Sequence, residues 1–214
     1  KGYPVRLRLD VALVFTANPE EYTARGKIIT PLKDRIGSEI RTHYPRTRVE
    51  AMTITAQEAW VDGRGPRAGA LPVQVPDFVR EIVEEVAFQA RADQKVDKRS
   101  GVSQRLPITA LENVVSNAER RALDTGESVA VPRVSDVYAS LPSLTGKVEL
   151  EYEGELRGAE QVAREIVRSA IATVFDGRAV QIDTRPIVGW FERGGTIDLS
   201  VTSPAAHLLA TVER

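Results

Sequence analysis

Two polar side chains, Thr16 and Asn18, follow directly after a continuous apolar run from Val11 to Phe15. Such a run is typical of a strand that is covered on both faces in a parallel sheet. Ligands of open parallel sheets bind beyond the carboxyl ends of the strands. We therefore expect Thr16 and Asn18 to point into a ligand-binding crevice. The alternative is an ordinary Asn-Pro turn after a strand, since Pro19 comes next.

An arginine lies on the next predicted element. Pro31 begins a short predicted helix, Pro31 to Arg35, and proline favours the first turn of a helix. This helix would hold Arg35 at a fixed distance downstream of the strand. Alternatively, Arg35 is an ordinary surface charge.

These residues resemble the AAA+ ATPases, and within them the magnesium chelatase I-subunit and MoxR-like branch. The family's hydrophobic strand that runs into T-x-N-P matches Phe15 to Glu20, and its arginine-finger motif, L-L-x-R-F-like, matches Leu32 to Gly37. By resemblance Asn18 is catalytic as the first sensor, which orients the attacking water or the γ-phosphate, and Thr16 belongs to the cofactor-binding site. Arg35 is implied to be the catalytic finger that reaches the nucleotide of a neighbouring subunit. An arginine supplied in trans is worth roughly a thousandfold or more in the rate of phosphoryl transfer.

A second arginine motif lies further along the chain. Gly101, Ser103 and Arg105 match the G-x-S-x-R pattern with which the family's second sensor starts a lid helix. By resemblance Arg105 binds the γ-phosphate of the nucleotide in its own subunit when the lid closes. The state of the nucleotide would then determine the angle of the lid. The alternative is a Gly-Ser helix cap followed by a solvated arginine.

The family's phosphate-binding loop is not in this sequence. Neither a G-x-x-x-x-G-K-[ST] loop nor the acidic pair that holds magnesium is present. We therefore expect the chain to be the carboxyl-terminal part of a longer ATP hydrolase, whose ATP and Mg²⁺ are held mainly by the missing part. The chain alone is expected to be inactive. The match to the motor core runs from Val5 to Trp60, and the lid follows it.

The resemblance also implies an assembly and a task. The parent protein would form a homo-oligomeric ring, a hexamer, and would couple ATP hydrolysis to remodelling of a partner that carries a von Willebrand A-type domain; metal insertion is one task of this branch. A non-enzymatic helical interaction module derived from the family is the alternative from another class. A third alternative, an activator of the alternative sigma factor, needs a sigma-contacting loop and usually a DNA-binding domain, and neither is visible. A phosphate loop encoded upstream would favour the motor over the module.

Composition restricts the classes of function. The 214 residues are 42% hydrophobic and 28% charged, which is ordinary for a globular protein. With 29 basic and 30 acidic side chains the net charge is −1, so charge gives no reason to expect nucleic acid or a membrane as the main partner. The lack of cysteine excludes disulfides, thiolate metal sites and cysteine nucleophiles. No apolar run approaches the roughly 18 residues of a membrane span, and we expect a cytoplasmic protein.

The predicted fold class is mostly α. A remnant of an α/β P-loop AAA+ core is expected over residues 1–62, with the first sensor and the arginine finger. A Gly- and Pro-rich linker follows over 63–75, then the α-helical lid domain with the second sensor over 76–145, and a mostly helical carboxyl-terminal extension over 146–214. We expect the lid to move as a unit about the linker, with few contacts across it.

Helical periodicity dominates after the linker. Apolar residues predict an amphipathic helix over 79–90, with Glu81, Glu84 and Glu85 on its other face. Further helices are predicted from Pro107 to Gly126, after Pro132, from Val162 to Gly177, from Pro186 to Arg193 and after Ser203. Alternating residues predict strands over 147–153 and 196–201, which could pair with each other.

Several other polar residues favour structural roles. His43 and His207 are far apart and lack cysteine or acidic companions, so no metal site is predicted. Glu20 and Glu21 could act as general acid and base, but loop carboxylates are commonly just solvated. A cluster of basic residues alternates with acidic ones and is typical of a solvated face: Arg91, Lys95, Lys98 and Arg99.

Three large aromatic residues complete the set. Trp60, Trp190 and Phe191 are expected to be core or interface anchors.

Overall fold

A computed structural model describes residues 10–16, 34–61, 71–180, 182–198, 200 and 202–204. Most of these residues are helical, which confirms the mostly α part of the predicted fold class. The chain divides into two compact units, residues 1–42 and 43–214. Among the described helices, none combines the length and the apolar composition that a membrane crossing requires.

Seven α-helices and one 3-10 helix lie in the described part of the second unit. In chain order they are α1 (Arg48–Glu58), α2 (Asp77–Ala92), α3 (Arg105–Thr125), the 3-10 helix (Val134–Ser140), α4 (Leu141–Thr145), α5 (Tyr152–Arg157), α6 (Ala159–Ala179) and α7 (Arg185–Glu192).

Helix α2 is the central element of the second unit. Helices α1, α3 and α6 and the 3-10 helix all contact it. Its buried residues run without a break from Ile82 to Ala87, so the side of the helix that carries Glu84 and Glu85 is inside the protein. The predicted helix over 79–90 is confirmed. The expectation that its glutamates face solvent is wrong for Glu84 and Glu85, because α1 covers them.

Helix α1 is an element that the sequence analysis missed. The Thr47 hydroxyl accepts a hydrogen bond from the backbone N–H of Glu50 at 3.2 Å, and the Glu50 carboxylate accepts one from the N–H of Thr47 at 3.3 Å. This reciprocal capping box satisfies two N–H groups that would otherwise lack partners at the helix end. The helix buries Ala51 and Thr55 as it packs on α2 and α3. The T-x-x-E pattern at Thr47 was the signal that could have predicted it.

The other predicted helices are largely confirmed. Helix α3 ends at Gly126, whose φ of 70° is left-handed, as the glycine indicated. Helix α6 packs along α2 and continues through Gly177 to Ala179. The helix predicted after Pro132 is a 3-10 helix followed by α4, and α7 matches the helix predicted from Pro186. The terminal helix predicted after Ser203 lies almost entirely outside the described residues.

The two predicted strands are corrected. Residues 147–153 do not pair with the described residues of 196–201, which are 196–198 and 200; instead Leu150 forms an isolated antiparallel bridge with Val96, and α5 begins at Tyr152. Residues 196–198 have no regular secondary structure. Alternation alone did not identify the partner, because the bridge joins the segment to a loop far away in sequence.

In the first unit, the strand predicted over Val11 to Phe15 is absent. These residues have no regular secondary structure, and Val14 is 90% exposed. No strand is present in the described part of the chain to supply hydrogen bonds to them. The remnant of the α/β core therefore remains an expectation. Asp34 and Arg35 lie in a turn rather than in a helix, and 31–33 lie outside the described residues.

The hydrophobic core crosses the borders that the sequence suggested. Ala59 and Val61, before the predicted linker, belong to the same buried cluster as residues of α2, α3 and α6. The expectation of few contacts across the linker is therefore wrong, because α1 and the residues after it pack on α2 and α3. Residues 62–70, the central part of the linker, lie outside the described residues.

The three aromatic residues are not in the core. Trp60 is 77% exposed, and Trp190 and Phe191 are also on the surface. The last two contact each other edge to face with ring centroids 4.8 Å apart. Their role as interface anchors stays a prediction.

A buried ion pair fixes the segment after α3. The Arg121 guanidinium donates to both oxygens of Asp136, and its Nη2 donates to the carbonyl oxygen of Val131 at 2.7 Å. Asn117 Nδ2 also donates to Asp136 at 2.7 Å, and so does the backbone N–H of Arg133. Asp136 thus joins α3 to the start of the 3-10 helix.

We predict that Asp136→Ala destabilises the protein strongly, because it leaves the buried Arg121 guanidinium without its counter-ion. Loss of one partner of a buried pair costs about 3–5 kcal/mol. The measurement is the free energy of unfolding in urea. Asp124→Ala is the matched control, because it removes an exposed carboxylate from α3, the helix that carries Arg121. It should change the free energy of unfolding by less than about 0.5 kcal/mol. Equal effects of the two substitutions would contradict this account.

Candidate functional site

The loop before α3 carries the predicted second sensor. Its backbone passes through Gly101, whose φ of 69° is in the left-handed region that glycine adopts readily. The N–H of Leu106 then donates to the carbonyl of Ser103 at 3.1 Å, and α3 begins with Arg105 as its first residue. Ser103 makes no side-chain cap, so the alternative of a Gly-Ser cap is not what forms this helix start. The backbone conformation of this loop therefore sets the position of Arg105 at the start of α3.

Arg91, a residue of α2, forms two hydrogen bonds with this loop. Its Nε donates to the carbonyl oxygen of Val102 at 2.9 Å, and its Nη2 donates to Oε1 of Gln104 at 3.1 Å. Burial lowers the pKa of Arg91, and the nearby Tyr44 and Glu84 oppose this shift. The two hydrogen bonds hold the residues on both sides of Ser103, directly before Arg105.

Tyr44 contacts both this loop and Arg91. Its hydroxyl accepts a hydrogen bond from the N–H of Val102 at 3.2 Å, and its ring lies over the Arg91 guanidinium with 4.2 Å between Cζ and the ring centroid. The ring of Phe88 lies 5.6 Å from the same guanidinium. A cation over an aromatic face is attracted by the ring quadrupole, so the rings compensate part of the lost hydration of Arg91.

Glu84 completes the group beneath the loop. It is 1% exposed, and its Oε2 accepts a hydrogen bond from Nε2 of Gln104 at 3.0 Å. Burial raises the pKa of Glu84, and hydrogen bonds from Thr55 and Gln104 and the charge of Arg91 oppose that shift. Its Oε1 has no hydrogen-bond partner among the described residues. A cavity of about 10 Å³ lies beside it, between α1, α2 and Leu111 of α3.

The basic cluster predicted as a solvated face is only partly so. Arg99 is exposed, but Arg91 is half-buried as described above. Lys98 Nζ donates to the carbonyl oxygen of Arg91 at 2.6 Å, where it neutralises the carboxyl end of α2. Lys95 forms salt bridges with Asp93 and Glu165 at 3.2 and 3.6 Å. The sequence signal that could have found Arg91 is its spacing of two helical turns from Glu84, which places both charges on one face of α2.

The predicted site residues lie in different parts of the chain. Arg105 is exposed in the second unit, and among the described residues no carboxylate forms a salt bridge with it. Thr16 and Arg35 are exposed residues of the first unit. Asn18 lies outside the described residues. The assignments of Arg105, Thr16, Asn18 and Arg35 therefore all stay predictions.

The histidines and carboxylates give no metal centre in the described part. No group of three or more potential ligands occurs there. His43 is exposed and its Nδ1 lies 2.8 Å from the carbonyl oxygen of Tyr44. His207, Glu20 and Glu21 lie outside the described residues.

Comparisons of this chain with protein-family models, with curated proteins and with solved structures find no match.

We predict that Glu84→Gln changes how stability depends on pH. The folded-state pKa of Glu84 is raised, so its contribution to stability is complete below the unfolded-state pKa and is lost as pH rises through the folded-state pKa. The free energy of unfolding of the wild type should therefore fall relative to Glu84→Gln as pH rises from the unfolded-state pKa through the raised folded-state pKa. Urea unfolding at several pH values measures this difference.

Glu81→Gln on the same helix is a control of opposite sign. The hydrogen bond from Arg178 lowers the pKa of Glu81, so this carboxylate stabilises the fold above its unfolded-state pKa and stops doing so as pH falls. Wild type should gain stability relative to Glu81→Gln as pH rises through the acidic range. A pH-independent difference for Glu84→Gln would mean that the folded-state pKa of Glu84 is not raised above its unfolded-state value.

Proposed function

We propose that this chain is the lid and sensor part of an AAA+ ATPase that resembles the magnesium chelatase I-subunit. The observation that carries the proposal is the placement of Arg105. It is the first residue of a 21-residue helix, it is exposed, and it follows a loop to which both Arg91 and Tyr44 are hydrogen-bonded. A guanidinium on a fixed backbone loses less conformational entropy when it binds an anion.

The chemistry of this role is charge stabilisation. A guanidinium forms short, charge-assisted hydrogen bonds with phosphate oxygens, often two at once. In phosphoryl transfer, negative charge is spread over the equatorial oxygens of the transferred group, and a positioned arginine stabilises it. Arg105 would make this contact in cis, because it belongs to the subunit that holds the nucleotide.

The other assignments follow from the resemblance and are proposed with it. ATP and Mg²⁺ would be held mainly by a phosphate-binding loop that this sequence does not contain, with Thr16 at the cofactor and Asn18 as the first sensor. Arg35 would act in trans in a ring of subunits, and the ring would remodel a partner with a von Willebrand A-type domain in the cytoplasm. Metal insertion is one task that such a ring could perform.

We predict that Arg105→Ala lowers ATP turnover in a protein that joins this chain to its phosphate-binding loop. The chain by itself should release no phosphate above the background without protein. Loss of a hydrogen bond to a charged group costs roughly 1.5–3 kcal/mol, so kcat should fall about 10- to 100-fold. Phosphate release at saturating MgATP measures the effect.

Arg120→Ala is the matched control, because it removes an exposed arginine from the same helix and should leave kcat unchanged. Arg35→Ala subunits should regain turnover when mixed with subunits that carry a defective phosphate loop, since some interfaces then pair an intact site with an intact finger. Wild-type turnover by Arg105→Ala, or steady turnover by the chain alone, would refute the proposal.

A second candidate function is a non-enzymatic interaction module, and helix α7 favours it. This helix has no buried residue and contacts none of the other described helices. Its exposed apolar residues are Ile187, Val188, Trp190 and Phe191. Exposed apolar faces of this kind mark interaction sites. A coding sequence with no phosphate loop upstream would favour the module over the motor.

A further inference from the structure

Tyr44 contacts the loop that leads to Arg105 both directly and through Arg91 of α2. Its hydroxyl accepts the hydrogen bond of the Val102 N–H, and its ring covers the guanidinium of Arg91, which itself binds Val102 and Gln104. Its hydroxyl also occupies the space next to Gly101, where an added Cβ would lie 2.5 Å from it. These contacts act on the short stretch from Gly101 to Gln104, two of them directly and one through Arg91.

We infer that Tyr44 is a positioning residue for Arg105, which holds the loop from Gly101 to Gln104 in the arrangement that presents the guanidinium. This inference rests on the proposed function for the role of Arg105, but the contacts themselves do not. Tyr44 acts through Arg91 and Val102 and is not a catalytic residue.

Tyr44 holds the Arg105 loop without being part of the hydrophobic core. Tyr44 is 47% exposed and is absent from the buried cluster that packs α2, α3 and α6. Its removal therefore exposes little apolar surface. Ser100, on the other side of the loop, is bound by its hydroxyl to Glu149, so the loop has a second support when Tyr44 moves.

Amide hydrogen exchange of this 214-residue chain tests the inference directly. Tyr44→Phe keeps the ring over Arg91 but removes the acceptor of the Val102 N–H, so Val102 should exchange about fivefold faster, as expected for the loss of one neutral hydrogen bond. Tyr44→Ala should extend the faster exchange to the whole loop and to the Nε–H of Arg91. Amides inside α2 and α6 should be unchanged.

Tyr152→Phe is the matched control, because Tyr152 is an exposed tyrosine on α5. It should leave exchange at Val102 as in the wild type. Unchanged exchange at Val102 in both Tyr44 variants, or equal acceleration throughout the core, would overturn the positioning role.

Gly101→Ala gives an independent test from the other side of the contact. Its Cβ requires the Tyr44 hydroxyl to move, so this variant should reproduce the faster exchange of Val102. In the double variant Tyr44→Ala with Gly101→Ala, the clash is gone and only the cost of the positive φ at residue 101 remains. The destabilisation of the double variant should be smaller than the sum of the two single effects; strict additivity would contradict the contact.

ATP turnover separates a failure of this inference from a failure of the proposed function. In the protein that contains the phosphate loop, Tyr44→Phe should lower kcat about threefold to fivefold with KM unchanged, and it should have no further effect on Arg105→Ala. Normal turnover by Arg105→Ala refutes the sensor role whatever the exchange data show. A defect in Arg105→Ala together with unaltered exchange and turnover in Tyr44→Phe refutes only the positioning role.

Discussion

The burial of charged residues on helix α2 is the constraint on which the described structure depends. Helices α1, α3 and α6 cover α2 so fully that Glu84, Glu85 and Arg91 lose much of their hydration. A buried charge without partners costs several kcal/mol, so partners must come from other segments. Glu85 is met by Arg48 at 3.5 Å, which helps to place α1. The loop before α3 supplies Gln104 to both Glu84 and Arg91, and Thr55 and Tyr44 are further partners of these two charges.

The side chain of Gln104 forms hydrogen bonds with both Glu84 and Arg91. Its Nε2 donates to Glu84 at 3.0 Å while its Oε1 accepts from Nη2 of Arg91 at 3.1 Å. Only a side chain with a donor and an acceptor on the same group can bridge a carboxylate and a guanidinium in this way. A glutamate at position 104 would keep the contact with Arg91 and repel an ionised Glu84, and a lysine would do the reverse. The neutral amide thus fixes the residue next to Arg105 without adding a charge to the interior.

The sequence was sufficient for the long helices and insufficient for the contacts between segments. The apolar periodicity of α2 and α6 and the glycine after α3 identified those helices, because these signals are local. Glu84 and Arg91 were assigned to solvent because the pattern of one helix does not reveal that a second helix, α1, covers its polar face. The bridge between Val96 and Leu150 was missed for the same reason, since it joins distant segments. Arg105 was predicted to be a site residue from its motif, whereas Tyr44 and Gln104 belong to no motif and their contacts are recognisable only from the fold.

Two buried polar atoms of the network formed by Glu84, Arg91 and Gln104 lack a hydrogen-bond partner among the described residues. Glu84 Oε1 and Arg91 Nη1 are buried without a hydrogen-bond partner among the described residues, and each such atom costs roughly 1–3 kcal/mol. Apolar residues of similar volume would avoid that cost and would commonly be at least as stable. Apolar contacts, however, have no direction, and they would not fix the backbone at Val102 and Gln104. Directional hydrogen bonds do fix it, so the cost in stability is consistent with a requirement for a defined position of the next residue, Arg105.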